Sequence, residues 1–216
     1  MDLRISGKAA IVTGASAGIG FAVAEELLAN GASVLIAARD VSRVQSAQAE
    51  LRKYPGAKVA SIAVDVASPG AASQIVDAAI AAFGSLDILV NNAGRAHAGG
   101  LMSSSEKDWE QMTGVKLTSM RRLCKAAIPH MRNQRWGRIV NMSSIGGIYP
   151  NPKLFVSHVL SAAINNLTKS LALEVAGDGI LVNAIAIGAV ATDNWANNMV
   201  PALRRTRPDF SSLSDD

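Results

Sequence analysis

Apolar positions along this chain fall into short, nearly continuous runs, separated by stretches in which they recur every three or four residues. The runs are "KAAIVT", "ASVLIAA", "KVASIAV", "LDILV", "GRIVNM" and "ILVNAIAI". Each is short, rich in small and β-branched residues and bounded by turn formers, as expected of strands buried on both faces. Between the first two runs, Phe21, Ala24, Leu27 and Leu28 fall at helical spacing. "VSRVQSAQAELRKY" is a polar-faced helix closed by Pro55 and Gly56, and "GAASQIVDAAIAAFG" is a third helix. A long helix is expected over "EKDWEQMTGVKLTSMRRLCKAAIPHM", broken near Gly114, and another over "HVLSAAINNLTKSLALEVAG". Strands alternating with helices imply an α/β fold: a mostly parallel sheet of at least six strands with helices on both faces.

The turn after the first strand sharpens that picture. "TGASAGIG", from Thr13 to Gly20, carries glycines at 14, 18 and 20 between a strand and a helix. That context allows a tight turn, close approach of a pyrophosphate and close helix packing, so the fold is expected to be a doubly wound Rossmann domain. The helix N-terminus then offers backbone N–H groups to phosphates. No Lys-Ser/Thr pair follows the glycines, so this is not a P-loop. After the second strand, "AARD" places Arg39 where a 2′-phosphate is read, favouring NADP, while Asp40 leaves NAD open. Asp65 follows the third strand on the adenine side, and "NNAG", Asn91 to Gly94, ends the fourth at the ligand-binding edge of the sheet. With no proline-rich linker or compositional break, residues 1–216 read as one domain.

Composition narrows the alternatives. Hydrophobic residues are 49% of the 216 and charged ones 18%, which is a globular balance. The formal charge of +4 is spread over scattered basic residues, and aromatics are only 4%, leaving little with which to stack nucleic-acid bases. Cys124 is the only cysteine, which excludes an internal disulfide and a cysteine metal cluster; three scattered histidines offer no metal-ligand spacing. No apolar run is long enough to span a membrane, and no leader pattern opens the chain. The expectation is a cytoplasmic protein without nucleic-acid, membrane or metal partners.

Taken in order, the glycine turn at 14–20, "NNAG" at 91–94, "GRIVNMSS" at 137–144 and "VNAIAIGAVAT" at 182–192 resemble the classical short-chain dehydrogenase/reductase family over nearly the entire chain. The resemblance implies a nicotinamide cofactor, a small-molecule carbonyl or secondary alcohol as substrate, and a homodimer or homotetramer built through long helices. It implies cofactor contacts at Gly14, Ser16, Gly18, Ile19, Gly20, Arg39, Asp65, Val66, Asn91, Ala93, Gly94, Ser161, Gly188, Val190 and Thr192. Members of the family place a serine, a tyrosine, a lysine and an asparagine beside the nicotinamide. Serine and tyrosine hold the substrate oxygen, lysine lowers the tyrosine pKa and binds ribose, and asparagine supports a proton path.

Carried onto this chain, that set is mostly exchanged. Ser144 holds the serine position; Ser157 stands at the tyrosine position, Ser161 at the lysine position and Lys116 at the asparagine position, and Ile187 replaces a customary proline. Ser157 and Ser161 are four apart and share a helix face. A tyrosine with a pKa near 10 is brought toward neutrality by an ammonium, which an alkyl hydroxyl cannot imitate. Lys116 returns the positive charge if its ammonium reaches inward, or snorkels to solvent if it does not. His158 is one residue around the helix from Ser157 and is expected to face elsewhere, while Tyr149 swings toward substrate, caps the pocket or packs on the surface. Ser144 has no His/Asp partner at interpretable spacing, so a hydrolase is not supported.

From about residue 188 the chain reads as an incomplete or truncated substrate lid, with Trp195, Met199 and Leu203 on one face of a short helix. The function expected is NADP(H)-dependent oxidoreduction, weak or lost. Its rival is a non-catalytic nucleotide-binding or assembly protein that keeps the fold.

Overall fold

A computed structural model describes residues 2–192. The lid positions Trp195, Met199 and Leu203 lie outside the described residues. Six strands, β1 (Ala9–Thr13), β2 (Ser33–Ala38), β3 (Val59–Ala63), β4 (Ile88–Asn91), β5 (Gly137–Ser144) and β6 (Ile180–Ile187), form one sheet in the order β3-β2-β1-β4-β5-β6. All five pairings are parallel. Among the described residues six α-helices accompany them: α1 (Gly18–Ala29), α2 (Val41–Leu51), α3 (Ala71–Phe83), α4 (Glu106–Thr113), α5 (Ser119–Asn133) and α6 (Phe155–Val175).

Alternation within the strands sends side chains to two separate cores. Ala10 and Val12 of β1, with Val34 and Ile36 of β2, pack under α1 and α2 against Ala24, Leu28, Val44 and Leu51. Ile11, Leu35, Leu89 and Ile139 point the other way, against Ile75 of α3, Leu123 and Ala127 of α5 and Ile164 of α6. Burying an aliphatic side chain of this size contributes about 1.5–3 kcal/mol. The sheet is thus covered on both faces, and the expected doubly wound architecture is the one observed. On the outer face of β6, Leu181 and Ile185 are about half exposed.

Two features fix the frame of the sheet. At its base, the buried carboxylate of Asp87 accepts from Lys8 Nζ at 2.9 Å, Ala9 N at 2.9 Å and Ser85 Oγ at 3.1 Å. Lys8 and Arg138 lie over the Trp136 ring, at 4.1 and 4.3 Å from its centroid. Inside, Asn91 Nδ2 donates to Asn141 Oδ1 (2.8 Å), Asn141 Nδ2 to Thr168 Oγ1 (3.0 Å), and Thr168 Oγ1 to Ile164 O (2.7 Å). This relay ties β4, β5 and α6 together in a setting where unpaired amides would be costly.

The expected break near Gly114 is a π-helical turn, Gly114–Thr118, between α4 and α5. Ser119 N donates to Gly114 O, five residues back. Val115 O is taken by the Ser119 hydroxyl at 2.5 Å. Such wide turns are uncommon and concentrate at functional positions; this one holds Lys116.

Candidate functional site

β1 and β4 are neighbours, while the chain leaves β1 toward β2 on one side and returns through β3 to β4 on the other. The carboxyl ends of these two strands therefore form the switch point at which doubly wound sheets bind ligands. Gly14 turns the chain there at φ +66° and Gly18 at φ +58°, the left-handed region that glycine enters without strain. A Cβ on Gly20 would collide with Asn92 Nδ2 and lie 2.6 Å from Gly14 O, so that position admits no side chain. Ala17 caps α1 without a side-chain bond, and no acidic residue occupies the first turn. The first N–H groups of α1, from Gly18 through Gly20, therefore face the cleft uncapped, beside the half-buried Ser16 and Ile19.

Asn92 stitches the two strand ends together. Its Nδ2 donates to Thr13 O (2.8 Å) and Gly14 O (3.2 Å), and Thr13 Oγ1 accepts from Asn92 N and Ala93 N, both at 3.0 Å. Neither Thr13 nor Asn92 is among the sequence-predicted site residues. Their signal was present in "TG" and the second Asn of "NNAG", two polar residues at adjacent strand ends. Asn91 is turned away: its amide is buried in the relay toward Asn141, and Oδ1 has no partner among the described residues. Cys124 lies against it, Asn91 Nδ2 being 3.5 Å from Sγ, and burial pushes that thiol up to about 12.

Val190 and Thr192 stand opposite Gly18, Ile19 and Ala22 across a cavity of about 490 Å³. Thr192 Cγ2 lies 3.7 Å from where a Gly18 Cβ would be, and Gly188 has open space beside it. Val66 is buried, and Asp65 Oδ1 accepts from Ala67 N at 3.0 Å. Arg39 and Asp40 follow β2 but differ in commitment. Asp40 caps α2, accepting from Arg43 N (2.9 Å) and Ser42 Oγ (2.8 Å), and these bonds hold its carboxyl below the usual range. Arg39 is exposed and makes no hydrogen bond or ion pair with any described residue.

At the other end of the cleft, Ser144 terminates β5. Its Oγ accepts from Gly146 N at 3.1 Å, leaving the hydroxyl hydrogen free to donate. Ser143 Oγ donates to Ser161 O at 3.1 Å, which seats the end of β5 against α6. Ser157 is buried, and its Oγ accepts from His97 N at 2.7 Å and faces His97 O at 3.5 Å. The Ser157 hydroxyl thus anchors the loop after β4. Ser161, fully buried, donates to Ser157 O at 2.8 Å.

Lys116 reaches inward. Its Nζ lies 3.4 Å from Ser161 Oγ and 3.5 Å from Ser157 O, and desolvation holds its pKa below the ordinary lysine range. His158 is held by the loop after β5: its Nδ1 accepts from Asn151 N at 2.8 Å, and its ring packs on Gly146. Desolvation first, and then the Lys116 charge, lowers its pKa. Tyr149 is 71% exposed on the loop after β5. Among the described residues no His/Cys/Asp/Glu group is arranged to hold a metal, and no helix is long and apolar enough to cross a membrane.

The chain is similar over most of its length to known proteins. The family model for short chain dehydrogenases matches residues 8–200. The 3-oxoacyl-(acyl-carrier-protein) reductase of Vibrio cholerae is 38% identical over 191 residues, covering 88% of this chain and 77% of that protein. Its Escherichia coli counterpart is 37% identical over the same shares. The solved structure of L-sorbose reductase from Gluconobacter frateurii, complexed with NADPH and L-sorbose, superposes with a TM-score of 0.91 at 34% identity, covering 98% of this chain and 80% of that one. A short chain oxidoreductase from Pseudomonas aeruginosa PAO1, described as containing an atypical catalytic center, superposes at 0.87 with 30% identity over 98% of this chain and 79% of that one. With the glycine cradle at the switch point and this match over most of its length, the chain belongs to the short-chain dehydrogenase family.

Proposed function

We propose that the protein is an NADP(H)-dependent oxidoreductase that interconverts a carbonyl and a secondary alcohol. One observation carries the reading: the glycine cradle, with α1 uncapped, lies at the β1/β4 switch point beside an uncommitted Arg39. The residues present fit the cofactor. Backbone N–H groups at Gly18 to Gly20 would hold the pyrophosphate, and Gly14 lets the turn close on Ala93, where a Cβ would stand 2.9 Å from Ala93 Cα. Arg39 would hold the 2′-phosphate, while Asp40 is already engaged in capping α2 and does not compete for a ribose hydroxyl. Val66 and Asp65 would flank the adenine, and Val190 and Thr192 the nicotinamide half.

The cofactor supplies hydride chemistry, which is why the protein's part reduces to holding and protonating. Ser144, its lone pair engaged by Gly146 N, presents its hydrogen to the substrate oxygen and orients the carbonyl. Ser157 does not take part in proton transfer, because its hydroxyl is engaged by the His97 backbone. That same bond favours a second reading, in which the protein binds the dinucleotide without turnover.

Titration with NADPH and with NADH, followed by nicotinamide fluorescence, tests the first half of the reading; a panel of aldehydes, ketones and secondary alcohols tests the second. The reading expects tighter binding of NADPH than of NADH and measurable carbonyl reduction. Binding without turnover would select the non-catalytic reading, and no binding by the folded chain would overturn both.

A further inference from the structure

Lys116 leaves the π turn along Gly94, where a Cβ would stand 3.7 Å from the lysine Cγ, and enters the cleft. Its two contacts, at 3.4 and 3.5 Å, are long for N–H···O bonds. No ion pair among the described residues includes it. The charged groups around it do not supply a counter-ion. His158 approaches from α6 and lowers no cost, being itself a potential cation. On the loop after β4, Arg95 is held by Gln111 Oε1 at 3.2 Å. His97 bonds Ser104 Oγ at 3.3 Å through Nε2, with Asp108 Oδ1 3.9 Å from its Nδ1. Asp108 is in turn committed to Ser105. A half-enclosed ammonium with weak contacts and no anion nearby is costly unless charge arrives in the cleft.

Granting the oxidoreductase reading, we propose that Lys116 is the catalytic acid of the reduction, its ammonium delivered across the cleft from the π turn to the place vacated on α6. The carbonyl oxygen gains negative charge as hydride, with its electron pair, reaches the carbon. The C=O π pair moves onto oxygen, an Nζ–H bond of Lys116 breaks and an O–H bond forms. The products are the alcohol and a neutral amine, which solvent reprotonates. In the oxidising direction the neutral amine accepts the hydroxyl proton. Ser161 Oγ, itself hydrogen-bonded to Ser157 O, steadies Nζ between turnovers. The lowered pKa brings the ammonium closer to the operating range of an acid at neutral pH.

The experiment uses the full chain, Lys116→Ala and Lys116→Met, with three readouts: NADPH binding, carbonyl turnover, and the 15Nζ resonance of Lys116. Both variants are expected to bind NADPH within a few-fold of the parent and to lose about 10²–10⁴-fold in kcat. Added ethylammonium should restore turnover to Lys116→Ala, in proportion to its concentration, and not to Lys116→Met, whose side chain still fills the space. The Nζ signal should titrate below the ordinary lysine range and shift when NADPH is added. Full activity of either variant, loss without amine rescue, or an Nζ signal insensitive to NADPH would each overturn the proposal and leave the oxidoreductase reading standing. No turnover by the parent chain would overturn both together.

Discussion

Lys116 and Ser161 face each other across the cleft, Nζ 3.4 Å from Oγ, from two helical segments 45 residues apart in sequence. A long cationic side chain on one wall meets a short hydroxyl on the other. The ammonium lies between the two walls with its charge partly desolvated, and the pH dependence of the fold should register it.

In the unfolded chain Lys116 titrates near its ordinary value; in the folded chain desolvation lowers its pKa. The unfolded state therefore binds more protons between the folded value and about 10.5, and stability attributable to this group rises with pH across that window. Below the window the burial penalty is fully present. Lys116→Met should accordingly melt at a higher temperature than the parent at pH 7, with the difference shrinking as pH approaches 10. Paired thermal melts from pH 7 to 10 check this.

Arg39→Ala removes the cation proposed to meet the 2′-phosphate. A charge-assisted bond is worth about 1.5–3 kcal/mol, so NADPH affinity should fall roughly tenfold to a hundredfold, with NADH affinity nearly unchanged. Parallel fluorescence titrations give the ratio directly.

Gly20→Ala places a methyl group against Asn92 Nδ2 and Gly14 O. The cradle must open to admit it, at a cost of about 1–3 kcal/mol in stability and at least about tenfold in NADPH affinity. Urea unfolding and nucleotide titration measure the two effects separately.

Ser157→Ala leaves His97 N without its acceptor in a partly buried setting, so stability should drop by about 1–2 kcal/mol. Because the hydroxyl is an anchor and not an acid, kcat should change less than tenfold. A loss of several hundredfold, measured with the variant still folded, would contradict that assignment.

Asp87→Ala strands Lys8 and the Ala9 amide at the base of the sheet. Removing one partner of a buried pair costs about 3–5 kcal/mol; Lys8 is partly exposed, and the lower end of that range applies. Nucleotide affinity, governed at the opposite edge, should be unaffected in the fraction that remains folded.

Much of this architecture is legible in the sequence because parallel strands buried on both faces leave an uninterrupted apolar signature, as in "SVLIAA". The break near Gly114 was visible as a glycine within a helical run, but its form was not: the wide turn depends on Ser119 returning its hydroxyl to Val115 O. The inward course of Lys116 had a readable signal. Met112, Lys116, Ser119, Met120 and Leu123 follow one helical stripe, and the other four are buried. Hydropathy disguised it, since a lysine in such a stripe is ordinarily assigned to solvent. The engagement of Ser157 with His97 could not be read, because it joins a backbone amide to a side chain 60 residues away. The side-chain amide of Asn91 belongs to the interior relay, whereas its neighbour Asn92 joins the strand ends; neither partner is near in sequence, so neither bond could be read.

The Trp136 clamp also bears on how the protein meets its ligand. Lys8 and Arg138 are held over one indole at the amino ends of the strands, with Lys8 further neutralised by Asp87. Arg39 and Lys116, which lack such partners among the described residues, sit at the carboxyl ends. The carboxyl ends of the strands thus carry two cations that no ion pair among the described residues holds. A polyanion diffusing nearby is drawn toward them before any contact forms. Raising ionic strength, which shortens the screening length to about 8 Å at physiological salt, should slow capture of a dinucleotide far more than it hastens its escape.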